Sequence, residues 1–294
     1  MRDVLTSVLE VLGAAAVCAG VFTFNVGAGL IACGLAAVAL GYLAAQNDQG
    51  VASATLLTTQ VDFEKAGDLR VYVDEEQVKW IEGRMADKGY LPGSRMADAF
   101  NLLRSNDLIW SYVVNNYMLG RDPMPFDLLY WNADSTRMPA GVHSFYLREC
   151  YMANKLSQGR MVLDNVRIDL SKVKVPVYNL AARDDHIAPL PSVFRVGRFL
   201  GGKTRLVVAG SGHIAGVVNP PASGKYQYWT NEKGADTLED WLKGASEHAG
   251  SWWPDWLSWI SERSGAKVPA PVPGEGPLKA IEDAPGAYVK VRAE

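Results

Sequence analysis

The sequence predicts an α/β fold in which a parallel sheet is interrupted by a long, mainly helical insertion. A strand, a helix and a second strand follow one another over Lys174–Gly210, and this βαβ spacing requires parallel strands. Residues 62–169 instead carry charged helical patterns and an aromatic-rich stretch, which indicates an inserted cap. The composition, with 48% hydrophobic and 21% charged residues, is typical of a globular chain.

These patterns divide the chain into four regions. Residues 1–61 hold a hydrophobic segment and the first strand and helix of the core, 62–169 the cap, 170–264 the rest of the core, and 265–294 a flexible tail rich in Pro and Gly. The expected strands are Val51–Thr59, Lys174–Ala182 and Thr204–Gly210, and the expected helices are Val73–Met85, Pro191–Leu200, Thr237–Gly244 and Ser251–Ile260.

The N-terminal region allows two interpretations. No charged residue occurs between Glu10 and Asp48, and Val11–Leu43 is long enough to cross a bilayer, for which about 20 apolar residues suffice. The alternative is a buried strand at Val21–Val26, which is rich in β-branched and aromatic residues, followed by a buried helix at Leu35–Ala45, which is rich in Ala and Leu. The globular pattern of the rest of the chain favours the buried alternative.

Charge and cysteine content exclude several classes of function. The formal net charge is −3 and there is no long basic run, so nucleic-acid binding is not expected. Three cysteines, an odd and sparse set, argue against a disulfide scaffold and fit a reducing compartment. The four histidines are too dispersed for a local zinc motif.

The candidate site lies on two loops that follow successive strands of the predicted sheet. Asp185 lies in the loop ARDDHIAP, and His213 in the loop AGSGHIAG. Ligands bind beyond the carboxyl ends of parallel strands, and an acid that precedes a histidine is the chain order of α/β hydrolases. Asp184 and His186 are the rival residues. The alternatives are a helix-capping aspartate and an exposed loop histidine.

The tryptophans near the C-terminal end have a helical spacing. Trp252, Trp256 and Trp259 share one face. Aromatic stripes usually belong to a core, so the favoured interpretation is a helix packed on the sheet, and contact with an apolar polymer is the alternative. We interpret Trp110 and Trp131 of the cap as core residues in the same way.

Several longer strings give the chain a family resemblance. From about Gly41 to Lys290 it resembles class I polyhydroxyalkanoate synthases, which make polyesters such as poly(3-hydroxybutyrate). The strings that carry the resemblance are LLTTQVDF from Leu56, NDLIWSYVVNNY from Asn106, PFDLLYWN from Pro125, RDDHIAP from Arg183, GSGHIAGVVNPP from Gly210, YWTN from Tyr228, HAGSWWPDW from His248 and APGAYVK from Ala284.

The resemblance implies an acyltransferase on an α/β-hydrolase-like domain with a mobile cap. The family polymerises 3-hydroxyacyl-CoA with release of CoA, and a cysteine thioester holds the growing polyester. His213 would deprotonate that cysteine, and Asp185 would assist deprotonation of the substrate hydroxyl. No cofactor or metal is implied, since the substrate carries the coenzyme A. The implied partners are a second copy of the chain and the polymer granule surface, in the cytoplasm and without membrane insertion.

The chain departs from the family at the nucleophile. The family carries it in a Gly-x-Cys-x-Gly-Gly elbow, which falls here on Ala28–Cys33 and puts Leu30 at the nucleophile position. Cys33 is the candidate nucleophile of this sequence, about one helical turn further on. Cys18 and Cys150 are further cysteines, and the favoured interpretation of all three is a buried structural residue.

A second departure is the short stretch before the elbow. From it we expect a C-terminal portion of a synthase whose sheet lacks its first strands. A missing oxyanion donor alone lowers rates by about 10²–10³. Three hypotheses result: an acyltransferase whose activity is weakened, a non-catalytic fragment that binds a full-length synthase or the polymer granule, and a protein with a membrane hairpin over Val11–Ala45.

Overall fold

The computed structural model describes residues 38–44, 50–103, 105–123, 137–284, 286–287 and 290–291. Within these residues the largest element is a five-stranded sheet in the order β1-β6-β7-β8-β9. The strands are β1 (Ala54–Leu57), β2 (Tyr90–Leu91), β3 (Met138–Pro139), β4 (Val162–Leu163), β5 (Val166–Arg167), β6 (Val177–Ala182), β7 (Thr204–Ala209), β8 (Gln227–Thr230) and β9 (Ser246–Ala249).

The first three strands of the sheet confirm the predicted parallel unit. β1 pairs in parallel with β6, and β6 with β7. All six residues of β6 are buried, as expected of a strand that is covered on both faces. The register sets Leu57 opposite Leu180 and Ala182 opposite Ala209. The carboxyl ends of the three strands therefore lie at one edge of the sheet.

Two strands that the sequence did not predict complete the sheet. β8 pairs antiparallel with β7, and β9 antiparallel with β8, so the sheet is mixed rather than wholly parallel. Each has four residues, and the side chains of β9 are exposed or half-buried. Its polar sequence, Ser-Glu-His-Ala, has no apolar alternation, so only its pairing with β8 makes it a strand.

Helices cover the sheet and make up most of the cap region. Residues 38–44 are also helical. The α-helices that follow are α1 (Glu75–Ala86), α2 (Gly93–Leu103), α3 (Ala140–Phe145), α4 (Leu190–Phe194), α5 (Leu238–Lys243) and α6 (Trp253–Ser261). Shorter or wider helical turns lie at Phe63–Lys65, Gly67–Tyr72, Asn106–Trp110, Val113–Met118, Tyr146–Met152, Leu170–Lys172, Arg195–Arg198 and Pro221–Ser223.

The tryptophan face of α6 packs on the sheet, as predicted. Trp252 and Trp259 are buried with Tyr178 and Leu180 of β6, and Trp256 is half-buried beside them. Trp256 also donates its indole N–H to Thr55 Oγ1 of β1 at 3.0 Å. These contacts make the stripe part of the core.

The core interpretation of Trp110 is wrong. Its side chain is 56% exposed, and Tyr117 and Met118 further along the same segment are more exposed still. An aromatic residue at helical spacing does not reveal which element covers it, and no described element covers this one. Trp131 lies outside the described residues.

The N-terminal expectations fall mostly outside the described residues. Neither the expected strand Val21–Val26 nor the elbow Ala28–Cys33 lies within the described residues. The expectation that the sheet lacks its first strands also falls on residues outside them. In the part of the chain that the structure does describe, no helix has the length and apolar character to span a bilayer. At the other end, residues 265–284 form turns, bends and irregular segments, and nearly all of them are exposed.

Candidate active site

Asp185 and His213 meet at the carboxyl edge of the sheet. Asp185 follows β6 and His213 follows β7, and His213 Nδ1 lies 2.7 Å from Asp185 Oδ2. Since a carboxylate only accepts hydrogen bonds, Nδ1–H is the donor and the imidazole orientation is fixed. Both residues are buried, with 6% and 4% exposure. His213 is a loop residue, but its burial makes the exposed-loop alternative wrong.

The second carboxylate oxygen of Asp185 is bound by the backbone of its own loop. Oδ1 accepts from Ile187 N–H at 2.8 Å and from Ala188 N–H at 2.9 Å. Asp185 thus holds its own turn, as a capping aspartate does, and also contacts the histidine. The rival Asp184 is exposed and does not share this position.

The loop of His213 is held from two sides. Gly216 packs so closely that a Cβ there would lie 2.7 Å from Gly210 O and 2.8 Å from Gly212 O. Trp252 donates its indole N–H to the carbonyls of Gly216 and Val217, both at 3.1 Å. The loop therefore has little freedom to move His213 away from Asp185.

A third strand end is tied to the acid loop, and sequence reasoning missed it. Gln60 follows β1 and donates Nε2–H to Ile187 O at 2.8 Å. Ser192 in α4 donates to Asp62 O at 2.6 Å and to Gln60 Oε1 at 3.2 Å. The only sequence signal was the string LLTTQVDF, which holds Gln60 but says nothing of its partner.

The cap residues next to the acid are aromatic and buried. Tyr151 stacks at a tilt on Phe63, with ring centroids 4.8 Å apart, and contacts Tyr146 edge-on at 5.5 Å. Burial raises the pKa of Tyr151, and the nearby Asp185 charge raises it further. The cap thus places a buried tyrosine near the acid, packed against other aromatic rings.

Of the candidate cysteines, the structure describes Cys150 alone, which is buried and free. Burial raises the pKa of its thiol to about 12, with a smaller contribution from the Glu149 charge. A thiol that stays protonated at neutral pH is a poor nucleophile, so its structural interpretation is favoured. Cys18, Leu30 and Cys33 lie outside the described residues.

The sheet and the pair define an α/β-hydrolase-like protein. Helices flank a mixed, mostly parallel sheet, and the acid and the histidine follow two neighbouring parallel strands. No protein-family model matches the chain. A solved neighbour described as a non-heme bromoperoxidase, from Mycobacterium tuberculosis, is 17% identical with a TM-score of 0.32, and the match covers 64% of this chain and 59% of that one. The fold class rests on the strand order of this chain.

Comparison with curated sequences finds similar proteins among the poly(3-hydroxyalkanoate) polymerases. A poly(3-hydroxyalkanoate) polymerase of Methylorubrum extorquens is 59% identical over 260 residues, which are 88% of this chain and 43% of the relative. The polymerase subunit PhaC of Rhizobium meliloti is 57% identical and that of Cupriavidus necator 44%, each over 88% of this chain. The chain is therefore similar to a C-terminal portion of poly(3-hydroxyalkanoate) polymerases. It spans less than half the length of these relatives.

Proposed function

We propose that the chain carries the acid and the base of an acyltransferase site that polymerises 3-hydroxyacyl-CoA with release of CoA. The observation that carries the proposal is the buried hydrogen bond from His213 Nδ1 to Asp185 Oδ2. The relatives are poly(3-hydroxyalkanoate) polymerases, and this supports 3-hydroxyacyl-CoA as the substrate class.

In the proposed reaction, His213 accepts the proton of a cysteine thiol at Nε2, since Nδ1 is engaged with Asp185. The thiolate attacks the thioester carbonyl carbon, the bond to the CoA sulfur breaks, and the departing CoA takes up the proton. The negative Asp185 stabilises the imidazolium in between. Asp185 then assists removal of the proton from the 3-hydroxyl of the next 3-hydroxyacyl-CoA. The hydroxyl oxygen attacks the carbonyl carbon of the enzyme thioester, the bond to the cysteine sulfur breaks, and the departing cysteine sulfur takes up the proton. We propose Cys33 as the nucleophilic cysteine.

The proposal is tested by the release of CoA from 3-hydroxybutyryl-CoA by the 294-residue chain, followed by chromatography. His213→Ala should lower the rate by about 10³-fold or more, since the base is lost. His186→Ala, on the loop of Asp185, is the matched control and should stay within about threefold of the unaltered chain. Equal rates for the unaltered chain and His213→Ala would contradict the proposal.

The nucleophile has a separate test. Cys33→Ala should abolish release of CoA, whereas Cys18→Ala should leave it within about threefold. Mass spectrometry after incubation with 3-hydroxybutyryl-CoA should show an added acyl group on the peptide that contains Cys33. Full activity of Cys33→Ala would refute this assignment and leave the role of His213 intact.

We also propose that the cytoplasmic protein forms a homodimer through the segment 102–119 of the cap. Several of its large apolar side chains are exposed, and groups of exposed apolar side chains often mark interaction sites. The exposed residues of the segment are Leu102, Trp110, Tyr112, Val114, Tyr117, Met118 and Leu119. Binding to the polymer granule or to a full-length synthase, without catalysis, is the second candidate function that the same surface favours.

Sedimentation at several concentrations distinguishes these partners. Tyr117→Ser combined with Met118→Ser should turn a dimer into a monomer, whereas Leu257→Ser, which removes an exposed apolar side chain of α6, should not. A monomer at all concentrations for the unaltered chain would contradict the homodimer. Co-sedimentation with polyester granules, lost in the double variant, would then support the second candidate.

A further inference from the structure

Thr58, the residue that follows β1, has a backbone conformation that threonine rarely adopts. Its φ is +45°, in the left-handed region, where a β-branched side chain is strongly disfavoured. Such conformations persist only when the surrounding structure holds them, and they concentrate at functional sites. Glycine or asparagine would fit the turn with less strain, so the turn alone does not explain a threonine.

The hydroxyl of Thr58 is the second unusual feature. The residue is 1% exposed, and among the described residues Oγ1 has no hydrogen-bond partner. The neighbouring Thr59 is equally buried, and its Oγ1 donates to Leu57 O at 3.1 Å. Buried polar groups are nearly always paired, so valine would suit position 58 better if packing were its only role.

Thr58 lies at the edge of the sheet that holds the acid and the histidine. Its N–H donates to Leu180 O of β6 at 2.8 Å, and β6 leads directly to Asp185. Two residues on, Gln60 contacts the acid loop at Ile187. Neighbouring strands are about 4.8 Å apart, so Thr58 lies one strand away from the strand that leads to the acid.

We propose that the Thr58 hydroxyl binds the acyl group that is transferred, by donating a hydrogen bond to an acyl oxygen. The inference rests on the proposed function and adds a substrate-binding residue to it. Thioesters and esters present carbonyl and ester oxygens, which only accept hydrogen bonds, and the threonine hydroxyl has a proton to donate. The bound acyl oxygen gives the buried hydroxyl its partner, and the strained backbone holds the hydroxyl in place.

Thr58→Val tests the inference, because valine keeps the branched shape and the backbone strain and loses only the hydroxyl. We expect kcat/KM for CoA release from 3-hydroxybutyryl-CoA to fall about tenfold. The melting temperature should stay equal or rise, since an unpaired buried hydroxyl is removed. Thr58→Ser, which keeps the hydroxyl, should retain most of the activity. Thr59→Val is the matched control and should keep kcat/KM within about twofold.

The outcomes separate this inference from the proposed function. If His213→Ala loses CoA release while Thr58→Val matches the unaltered chain, the inference is overturned and the proposed function stands. If the unaltered chain releases no CoA, binding of 3-hydroxybutyryl-CoA is measured by calorimetry. Binding that weakens about tenfold in Thr58→Val alone supports the inference. Equal binding by both overturns it, and no binding by the unaltered chain overturns both proposals.

Discussion

Two carboxylates near opposite ends of β6 and β7 have different kinds of partner. Asp185 has a fully buried side chain and contacts a histidine and two backbone N–H groups. Asp255 of α6 accepts from Arg205 in β7 at 2.7 Å and from the Tyr178 hydroxyl in β6 at 2.9 Å. An arginine keeps its charge at every accessible pH, whereas a histidine gains and loses a proton near neutrality. The second cluster therefore holds the fold, and the first can do proton chemistry.

The pKa values of the two groups that contact Asp255 support this difference. The hydrogen bond to Asp255 raises the pKa of the Arg205 guanidinium above its ordinary value. Burial, reinforced by the Asp255 charge, raises the pKa of the Tyr178 hydroxyl. Neither group changes protonation in the physiological range. The cluster therefore holds α6 against β6 and β7. Trp252, which hydrogen-bonds to the His213 loop, directly precedes α6.

The largest expected effect is that of Asp185→Asn on catalysis. The amide oxygen still accepts from Ile187 and Ala188, but the amide nitrogen then donates to His213 and imposes the wrong tautomer. We expect release of CoA to fall by about 10³–10⁴-fold, with little change in melting temperature. Asp184→Asn, one position earlier and exposed, is the control. Equal losses in the two variants would remove the distinction between these aspartates.

Asp255→Asn should affect stability and leave catalysis intact. Loss of the charge that pairs with Arg205 should lower the unfolding free energy by about 2–3 kcal/mol, measured by urea denaturation. Release of CoA per folded molecule should stay within about twofold. Glu232→Gln removes the other, 72%-exposed partner of Arg205 and should cost less than about 1 kcal/mol. A large activity loss in Asp255→Asn would contradict a purely structural cluster.

Trp252→Phe tests the link between the two clusters, because Trp252 caps the helix that holds Asp255 and also contacts the His213 loop. Phenylalanine keeps an aromatic ring and loses the donor to Gly216 and Val217. We expect a loss of about 1–2 kcal/mol in stability and about a tenfold lower kcat. Trp256→Phe, which loses a single donor to Thr55, is the control and should keep its kcat. A pH–rate profile that is shifted only in Trp252→Phe would identify a positioning role.

How far the sequence predicts this structure depends on whether the signal is local. β6, β7 and the acid–histidine loops were predictable, since apolar runs and loop motifs identify them within a few residues. Gln60 and Trp252 were not, because their partners lie 127 and 36 positions away along the chain. Their sequence neighbourhood shows a polar and an aromatic residue and no sign of which loop each one holds.

Two of the failures of sequence reasoning have the same physical origin. β9 has no apolar alternation and becomes a strand through pairing with β8. Trp110 looks like a core residue, yet it is exposed. Helical spacing shows which residues share a face of a helix, but it does not show whether another element packs on that face. Both errors concern tertiary partners, which a propensity does not contain.

The smallest expected effect is that of Glu82→Gln in the cap, a carboxylate of a third kind. Glu82 accepts from Arg148 at 2.7 and 2.8 Å and from the Ser144 hydroxyl, at a partly exposed site. These hydrogen bonds, that of Arg148 first, lower the pKa of its carboxyl from 4.5 to about 2. A carboxyl whose pKa is lower in the folded state stabilises the fold above pH 4.5, and this stabilisation is lost as the pH falls towards 2.

Glu82→Gln should therefore melt about 1–2 °C below the unaltered chain at pH 7, as expected of an exposed ion pair. The difference should shrink between pH 4.5 and pH 2, where the native carboxyl takes up its proton. Glu239→Gln, in the exposed pair with Lys243 on α5, is the control and should change the melting temperature less. A difference that is constant from pH 7 to pH 2 would mean that Glu82 stabilises the fold through packing. Its charge would then contribute nothing to stability, in contrast to the charge of Asp255.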